Sequence, residues 1–346
     1  MLQSGSVADE SGLWDVPHLI SVVIPVYGGE RTLAGVLAEL APLTELSHSA
    51  DGYPFRVTEV ILAYDNGRDD SPRVIRELAQ QYDFVRPVWL SKNFGQHAAT
   101  LAGMASSGGE WIVTLDEDGQ HDPAGIGILL DTAMREQVSV VYARPTNKAS
   151  HGFLRNSASK GAKWFLTKLF AGSNAADYQS FRLILGSVGR SVAAYSGSGV
   201  YLDVAMGWVA GTVATAPVAL RDEGERQSGY STRKLFAHFW RMVLSSGTRG
   251  LRIVSFLGIA FAILGVLVAI YIAVARLLGN VDAEGWASII VVVLLSAGAI
   301  LFSLGIIAEY IGVSVNMAMG KPPYLIVSDP STGPLGRRKP VAPPAP

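Results

Sequence analysis

The chain has 346 residues, with 28 Lys and Arg against 29 Asp and Glu, a net charge of −1 and no cysteine. Disulfides, thiolate catalysis and cysteine-type zinc sites are therefore excluded. The balanced charge argues against a polyanionic partner such as nucleic acid, and the length allows one or two domains.

Residues 1–18 read as a polar tail, with no basic start leading into an apolar stretch, so a signal peptide is not expected. Residues 19–27 (LISVVIPVY) form a continuous β-branched run closed by a Gly pair, the pattern of a strand buried on both faces. Helical periodicity follows over 30–40, then a strand over 57–64 (VTEVILAY). A helix is predicted over 71–81, with Pro72 in its first turn. Further strands are predicted over 85–90, 111–115 and 138–143, and helices over 96–106 and 123–136. This alternation predicts an α/β domain with a mostly parallel, helix-covered sheet, whose ligands bind beyond the carboxyl ends of the strands. Those ends carry Tyr27-Gly28-Gly29-Glu30, Asp65 with Asp69 and Asp70, and Asp116-Glu117-Asp118.

Beyond residue 144 the pattern changes. Residues 144–182 hold seven Lys or Arg and one acid, Asp177, and residues 221–252 hold seven Lys or Arg and three acids. Such segments suit anionic headgroups or a phosphorylated lipid, and they also serve as topological signals that keep loops cytoplasmic. Within them, 160–170 (KGAKWFLTKLF) and 233–244 (RKLFAHFWRMVL) mix cations and aromatics at helical spacing, as interfacial helices do. Two uncharged runs of 23 residues follow, 253–275 and 286–308. Each is roughly 35 Å long as a helix, enough to cross a hydrocarbon core of about 30 Å. Ten residues, 276–285, separate them, so a helical hairpin is expected, with both open ends on the side of the N-terminal domain. Arg249, Arg252, Lys321 and Arg337-Arg338-Lys339 flank those ends, which places them in the cytoplasm. The expected layout is a tail (1–18), a catalytic domain (19–232), a juxtamembrane helix (233–250), transmembrane helices (251–278 and 286–312) and a cytoplasmic tail (313–346).

Asp116 and Asp118 follow the apolar strand WIVTL at positions i and i+2, where two carboxylates can converge on one hard cation. Mg²⁺ or Mn²⁺ takes few protein carboxylates and leaves positions for substrate phosphates. Glu30 and Asp65 end neighbouring strands and can meet a base or ribose hydroxyls. There is no GxGxxG and no GxxxxGK[ST], so neither a dinucleotide fingerprint nor a P-loop is present. The six histidines show no HExxH spacing, and His121 is read as a surface residue.

SVVIPVYGGERTL, EVILAYDNGRDDSP, LSKNFGQHAATLAGMASSGGEWIVTLDEDGQHDP and YQSFRLI come in the order and spacing of family 2 glycosyltransferases, which the chain resembles over about residues 19–328. The two apolar runs, ERQSGYSTRKL and GKPPYLIV narrow the resemblance to the polyisoprenyl-phosphate branch. That branch includes dolichol-phosphate mannose synthase and bacterial undecaprenyl-phosphate glucosyltransferases. The resemblance implies a GT-A fold and inverting transfer of a sugar from a nucleotide diphosphate to a polyprenyl phosphate, with Mg²⁺ or Mn²⁺. It also implies that Pro25, Tyr27, Glu30, Asp65, Glu117 and Gln120 border the nucleotide sugar, with Asp116 and Asp118 holding the metal and diphosphate. By the same resemblance Arg182 is catalytic and meets the acceptor phosphate, and Arg226, Ser228 and Tyr230 meet the acceptor or the donor phosphate. The family often places an acid directly before FRL; here that residue is Ser180, and Asp177, three residues earlier, is the candidate base. Relatives with two spans can form tetramers, which implies a homo-oligomer by analogy only. Two other readings compete, a processive polysaccharide synthase and a membrane-anchored nucleotide-sugar-binding scaffold. Against the first, the chain lacks QxxRW.

Overall fold

The computed structural model describes residues 15–146, 179–197, 202–219, 221, 258–261, 263–268, 270–271, 274 and 285–332. In chain order the elements are β1 (His18–Val26), α1 (Leu33–Leu40), β2 (Ser47–His48), β3 (Pro54–Tyr64), α2 (Ser71–Gln81), β4 (Val85–Leu90), α3 (Gln96–Ala105), β5 (Trp111–Thr114) and α4 (Gly125–Glu136). There follow β6 (Val140–Pro145), β7 (Arg182–Leu185), α5 (Gly186–Tyr195), α6 (Leu202–Val209), β8 (Val213–Val218), α7 (Trp286–Ala318) and β9 (Ile326–Val327).

Among the described residues nine strands form one sheet, in the order β8-β6-β7-β5-β1-β3-β4-β9, with β2 attached to β3. Its centre is parallel, β1 pairing with β3 and β5, and β3 with β4. The continuous apolar runs have a direct cause, because both faces of these strands are covered and alternate residues enter different cores. Val22, Ile24 and Val26 of β1 face one cluster with α1, α2 and α4, including Leu33, Leu37, Ile75 and Leu129. Val23 faces the other with α3, α5 and α6, including Ala99, Leu101, Val192 and Leu202. The small residues of α3 let that helix lie tight on β1: a Cβ on Gly103 would stand 2.3 Å from Val23 Cγ1.

The sequence expectation and the structure diverge after β6. Arg182–Leu185, read as part of a ligand-binding segment, is a strand that runs antiparallel to both β5 and β6. Four residues are too few for a period to announce itself, and the first of them is a buried cation. The basic stretches 160–170 and 233–244 lie outside the described residues. Of the two expected spans, the second is an α-helix that continues to Ala318, beyond the apolar run. Its window Leu295–Ala318 has a mean hydropathy of 1.8 and is long and apolar enough to cross a membrane. It is the one such helix among the described residues. Upstream, the described residues between 258 and 274 are helical, and the rest of 251–278 lies outside the described residues.

Candidate active site

Three loops meet beyond the carboxyl ends of β1, β3 and β5, and side chains from each hold the backbone of another. After β1, the amides of Tyr27 (2.8 Å) and Gly28 (2.9 Å) donate to the Glu117 carboxylate, which comes from the loop after β5. Burial pushes the Glu117 carboxyl above its ordinary value, and the two amides oppose that rise. The Gly29 amide donates to Ser71 Oγ (2.9 Å), and the Glu30 amide donates to Asp69 Oδ2 (3.1 Å). Glu30 in turn accepts from the Asp70 amide (3.2 Å), so the β1 and β3 loops are tied in both directions.

After β3, Asp65 is 2 % exposed. Its two oxygens accept the amides of Phe94 and Gly95, both at 2.7 Å, and burial pushes its carboxyl up. Asn66, at φ 51°, donates from Nδ2 to Leu90 O at 2.5 Å. Gly67 passes so close to β1 that any Cβ would fall 1.6 Å from the Tyr27 carbonyl oxygen.

After β5, the chain turns through Gly119 at φ 76°. Asp116 is fixed by three groups. Gln96 Nε2 donates to its Oδ1 (2.7 Å), Ser180 Oγ donates to its Oδ2 (2.5 Å), and its own amide donates to His121 Nδ1 (3.1 Å). The last bond leaves the imidazole proton on Nε2, 4.0 Å from Asp116 Oδ2. His121 is 7 % exposed and stacks on Phe181, with ring centroids 5.2 Å apart. It is a buried residue and not the surface histidine expected, because the 116–121 turn folds it back under Asp116; burial lowers its pKa. Asp118 Oδ1 accepts the Gln120 amide (3.1 Å), and Gln120 O accepts the Arg221 amide (3.0 Å).

The structure thus brings Tyr27, Glu30, Asp65, Asp116, Glu117, Asp118 and Gln120 to one end of the sheet. Pro25 is buried within β1, and Tyr27 is 45 % exposed. Glu117 and Asp65 point their carboxylates at backbone amides of neighbouring loops. Arg182 departs from the expectation. It is 3 % exposed, its guanidinium pairs with Asp203, its Nε donates to Thr114 Oγ1 (3.1 Å), and it lies 5.7 Å from the Tyr142 ring centroid. Side chains alternate along β7, so Arg182 enters the second core where Asp203 neutralises it. Drawing it out to a phosphate would leave Asp203 buried without a counter-charge, with the Tyr142 hydroxyl (3.2 Å) still donating to it, an unfavourable change. Asp177, Arg226, Ser228 and Tyr230 lie outside the described residues.

Gln96, Ser180 and His121 were not read as site residues. Ser180 sits 64 residues from the carboxylate it meets, and no local pattern joins them. Among the described residues no group of three His, Asp or Glu could hold an ion by itself. An all-oxygen pair, Asp116 and Asp118, suits a hard cation that takes its remaining ligands from phosphate and water. Each Asp116 oxygen accepts one hydrogen bond from the side chains named, and an ionised carboxylate offers about four lone-pair positions. The residues present therefore fit Mg²⁺ or Mn²⁺.

The family model described as Glycosyl transferase family 2 matches residues 21–194. The undecaprenyl-phosphate 4-deoxy-4-formamido-L-arabinose transferase of Proteus mirabilis (strain HI4320) is 29 % identical over 311 residues, covering 89 % of this chain and 92 % of that one. A Bacillus subtilis (strain 168) protein named uncharacterized glycosyltransferase YkcC is 26 % identical over 309 residues, covering 88 % and 92 %. Among solved structures, mannosyl-3-phosphoglycerate synthase from Rubrobacter xylanophilus aligns with a TM-score of 0.48 at 14 % identity, covering 68 % of this chain and 74 % of that one.

Proposed function

The chain belongs to glycosyltransferase family 2 and has its GT-A fold, and from this premise we propose that it transfers a sugar from a nucleotide diphosphate to a polyprenyl phosphate, with inversion, at the cytoplasmic face of a membrane. One observation carries the reading. The strand-end carboxylates Asp116 and Asp118 occur in a chain that matches an undecaprenyl-phosphate sugar transferase over 89 % of its length, apolar C-terminal region included.

In this reading a phosphate oxygen of the lipid attacks the anomeric carbon from the face opposite the diphosphate. The bond from that carbon to the diphosphate breaks, and the nucleoside diphosphate leaves. A phosphate monoester has its second pKa near 6, so the attacking oxygen is ionised at neutral pH and needs little help from a base. Asp177 has, at most, an orienting part. A divalent cation held by Asp116 and Asp118 would supply Lewis-acid stabilisation of the departing diphosphate. Gln96, Ser180 and the Asp116 amide on His121 keep that carboxylate in one orientation before substrate arrives, which is the condition for electrostatic stabilisation of a developing charge. Glu117 fixes the Tyr27-Gly28 backbone, and Asp65 fixes residues 94–95, so the walls of the donor site are held by buried acceptors. Arg226, Ser228 and Tyr230 are proposed to meet the acceptor phosphate.

The two-span hairpin, with both termini cytoplasmic, is part of the proposal. What supports a second crossing is the pairing of β9, which follows α7, with β4 of the catalytic sheet. A chain whose helix α7 crosses the bilayer and whose next strand rejoins the same sheet must cross once more upstream, and residues 253–275 are the candidate.

The test is incubation of the full chain in detergent with Mn²⁺, polyprenyl phosphate and a panel of labelled nucleotide sugars. A lipid-linked monosaccharide is the expected product. A polymer would make the protein a synthase, and nucleotide-sugar binding with no product would make it a scaffold.

A further inference from the structure

β4 ends the parallel block of the sheet, and a short strand from the far end of the chain covers its edge. Trp89 pairs with Val327 and Leu90 with Ile326, and the Ser91 amide donates to Leu325 O at 2.9 Å. Beyond the strand, Asp329 accepts both arms of Arg76 from α2, Nε at 2.7 Å and Nη2 at 2.8 Å. Arg76 also lies 5.0 Å from the Trp89 ring centroid. The pair is partly buried, at 32 % and 16 % side-chain exposure, and it is bidentate, which sets it apart from the loose surface pairs that contribute little. Before the strand, Tyr324 packs against the second core cluster. This segment begins directly after α7. Gly320, at φ 64°, ends the helix, with its amide and that of Lys321 donating to Met317 O and Asn316 O, and Pro322-Pro323 prevent the helix from resuming.

Covering an exposed edge is one use for such a strand. Its position gives it another. The residues that follow Ser91 form the loop that supports the site, with the Phe94 and Gly95 amides on Asp65, Asn66 on Leu90 O, and Gln96 on Asp116 Oδ1. Leu90 and Ser91 are thus held from one side by Asn66 and from the other by Leu325 and Ile326. We propose that residues 324–329 are a positioning strap for glycosyl transfer, which holds Gln96 against Asp116 by clamping Leu90 and Ser91, with Arg76 and Asp329 as its latch. The strap ties the end of α7 to the carboxylate at the centre of the donor site. Arg76 and Asp329 act through the 91–96 loop and are positioning residues. The proposal rests on the reading that the donor diphosphate lies at Asp116 and Asp118.

The experiment uses the full chain in detergent, wild type and Asp329→Asn, with three readouts. Hydrogen exchange is followed at the Phe94 and Gly95 amides, UDP with Mn²⁺ is titrated by calorimetry, and KM is measured separately for nucleotide sugar and polyprenyl phosphate. Asp329→Asn should raise exchange at Phe94 and Gly95 at least tenfold. It should weaken UDP binding and raise the nucleotide-sugar KM at least fivefold, and leave the lipid KM within twofold. Asp329→Glu should restore part of each effect, and Arg76→Asp combined with Asp329→Arg most of it, which loss of bulk packing would not predict. Where Asp329→Asn yields no folded protein, Arg76→Lys, which keeps the charge and loses the fork, takes its place. Faster exchange at 326–329 with unchanged exchange at Phe94 and Gly95 would reduce the strap to an edge cover and overturn the proposal. If the wild type binds neither UDP nor GDP, CDP or ADP in the presence of Mn²⁺, the donor-site reading fails, and the exchange data still decide whether the strap holds the loop.

Discussion

Asp116 and Asp118 share one turn and stand in different surroundings. Asp116 is held by Gln96 and Ser180, whereas Asp118 accepts the Gln120 amide beside it. An Asn at 118 can still accept that amide through its own oxygen, so Asp118→Asn should fold normally. It removes one of two negative charges from the proposed cation site, and kcat should fall by about a hundredfold or more, the scale seen when one preorganised electrostatic contact is lost. EDTA should silence the wild type, and added Mn²⁺ should revive it. Label transfer and thermal unfolding, measured on the same preparations, check both halves; full turnover in EDTA would remove the cation from the mechanism. Acids at strand ends are common, and these were legible in the sequence because three neighbouring strand ends carry them together, at Glu30, Asp65 and Asp116 with Asp118. Which of them face ligand was not legible. Glu117 and Asp65 look equivalent to Asp118 in a one-dimensional reading, yet each is turned onto amides 89, 90 or 29, 30 residues away. The pairing of Arg182 was not legible for a related reason, since its partner Asp203 belongs to a helix that no motif marks.

The elements most legible in the sequence were those with both faces covered. β1, β3, α2 and β4 carry long apolar runs or clear start signals, and α2 and β4 have the predicted bounds, Ser71–Gln81 and Val85–Leu90. Short elements, β7 and β9 above all, take their conformation from the neighbours they pair with, and that information is not local. The α3–β1 contact makes a quantitative case. Gly103→Ala raises helix propensity by about 1 kcal/mol. It also sets a methyl 2.3 Å from Val23 Cγ1, and overpacking of a filled core costs typically about 1–3 kcal/mol. Overpacking should win, so Gly103→Ala lowers the unfolding temperature, and adding Val23→Ala recovers part of that loss. A Gly103→Ala variant as stable as the wild type would show that α3 can shift on the sheet. The latch gives a pH prediction at the same scale. Arg76 beside it, with the Ser331 bonds, holds the Asp329 carboxyl down to about 2, below its ordinary 3.8. A depressed acid contributes stability that is complete above its unfolded value and is lost as pH falls through the folded one. The difference in unfolding temperature between wild type and Asp329→Asn should therefore be constant from about pH 8 to 5 and close only below about pH 4.

At the scale of the whole molecule, the sheet constrains the path of the chain through the membrane. Residues 18–218 build the sheet up to β8, and Ile326–Val327 rejoin it after α7. Both therefore lie on one side. If α7 crosses, the segment between β8 and α7 must return the chain to the far side, and 253–275 is the uncharged run available for it. The loop at 276–285 would then face away from the catalytic domain. The absence of cysteine makes this directly measurable, because a single introduced thiol has no background. Asp282→Cys should react with a membrane-impermeant maleimide added to intact cells. Ala342→Cys, in the tail beyond the strap, should react only after the membrane is opened. Labelling of Ala342→Cys alone from outside would place the catalytic sheet on the outer face and reverse the proposed orientation. Labelling of neither before permeabilisation would mean that 253–275 does not cross. α7 would then have to lie along the surface, since the β4–β9 pairing leaves the chain no way to cross an odd number of times.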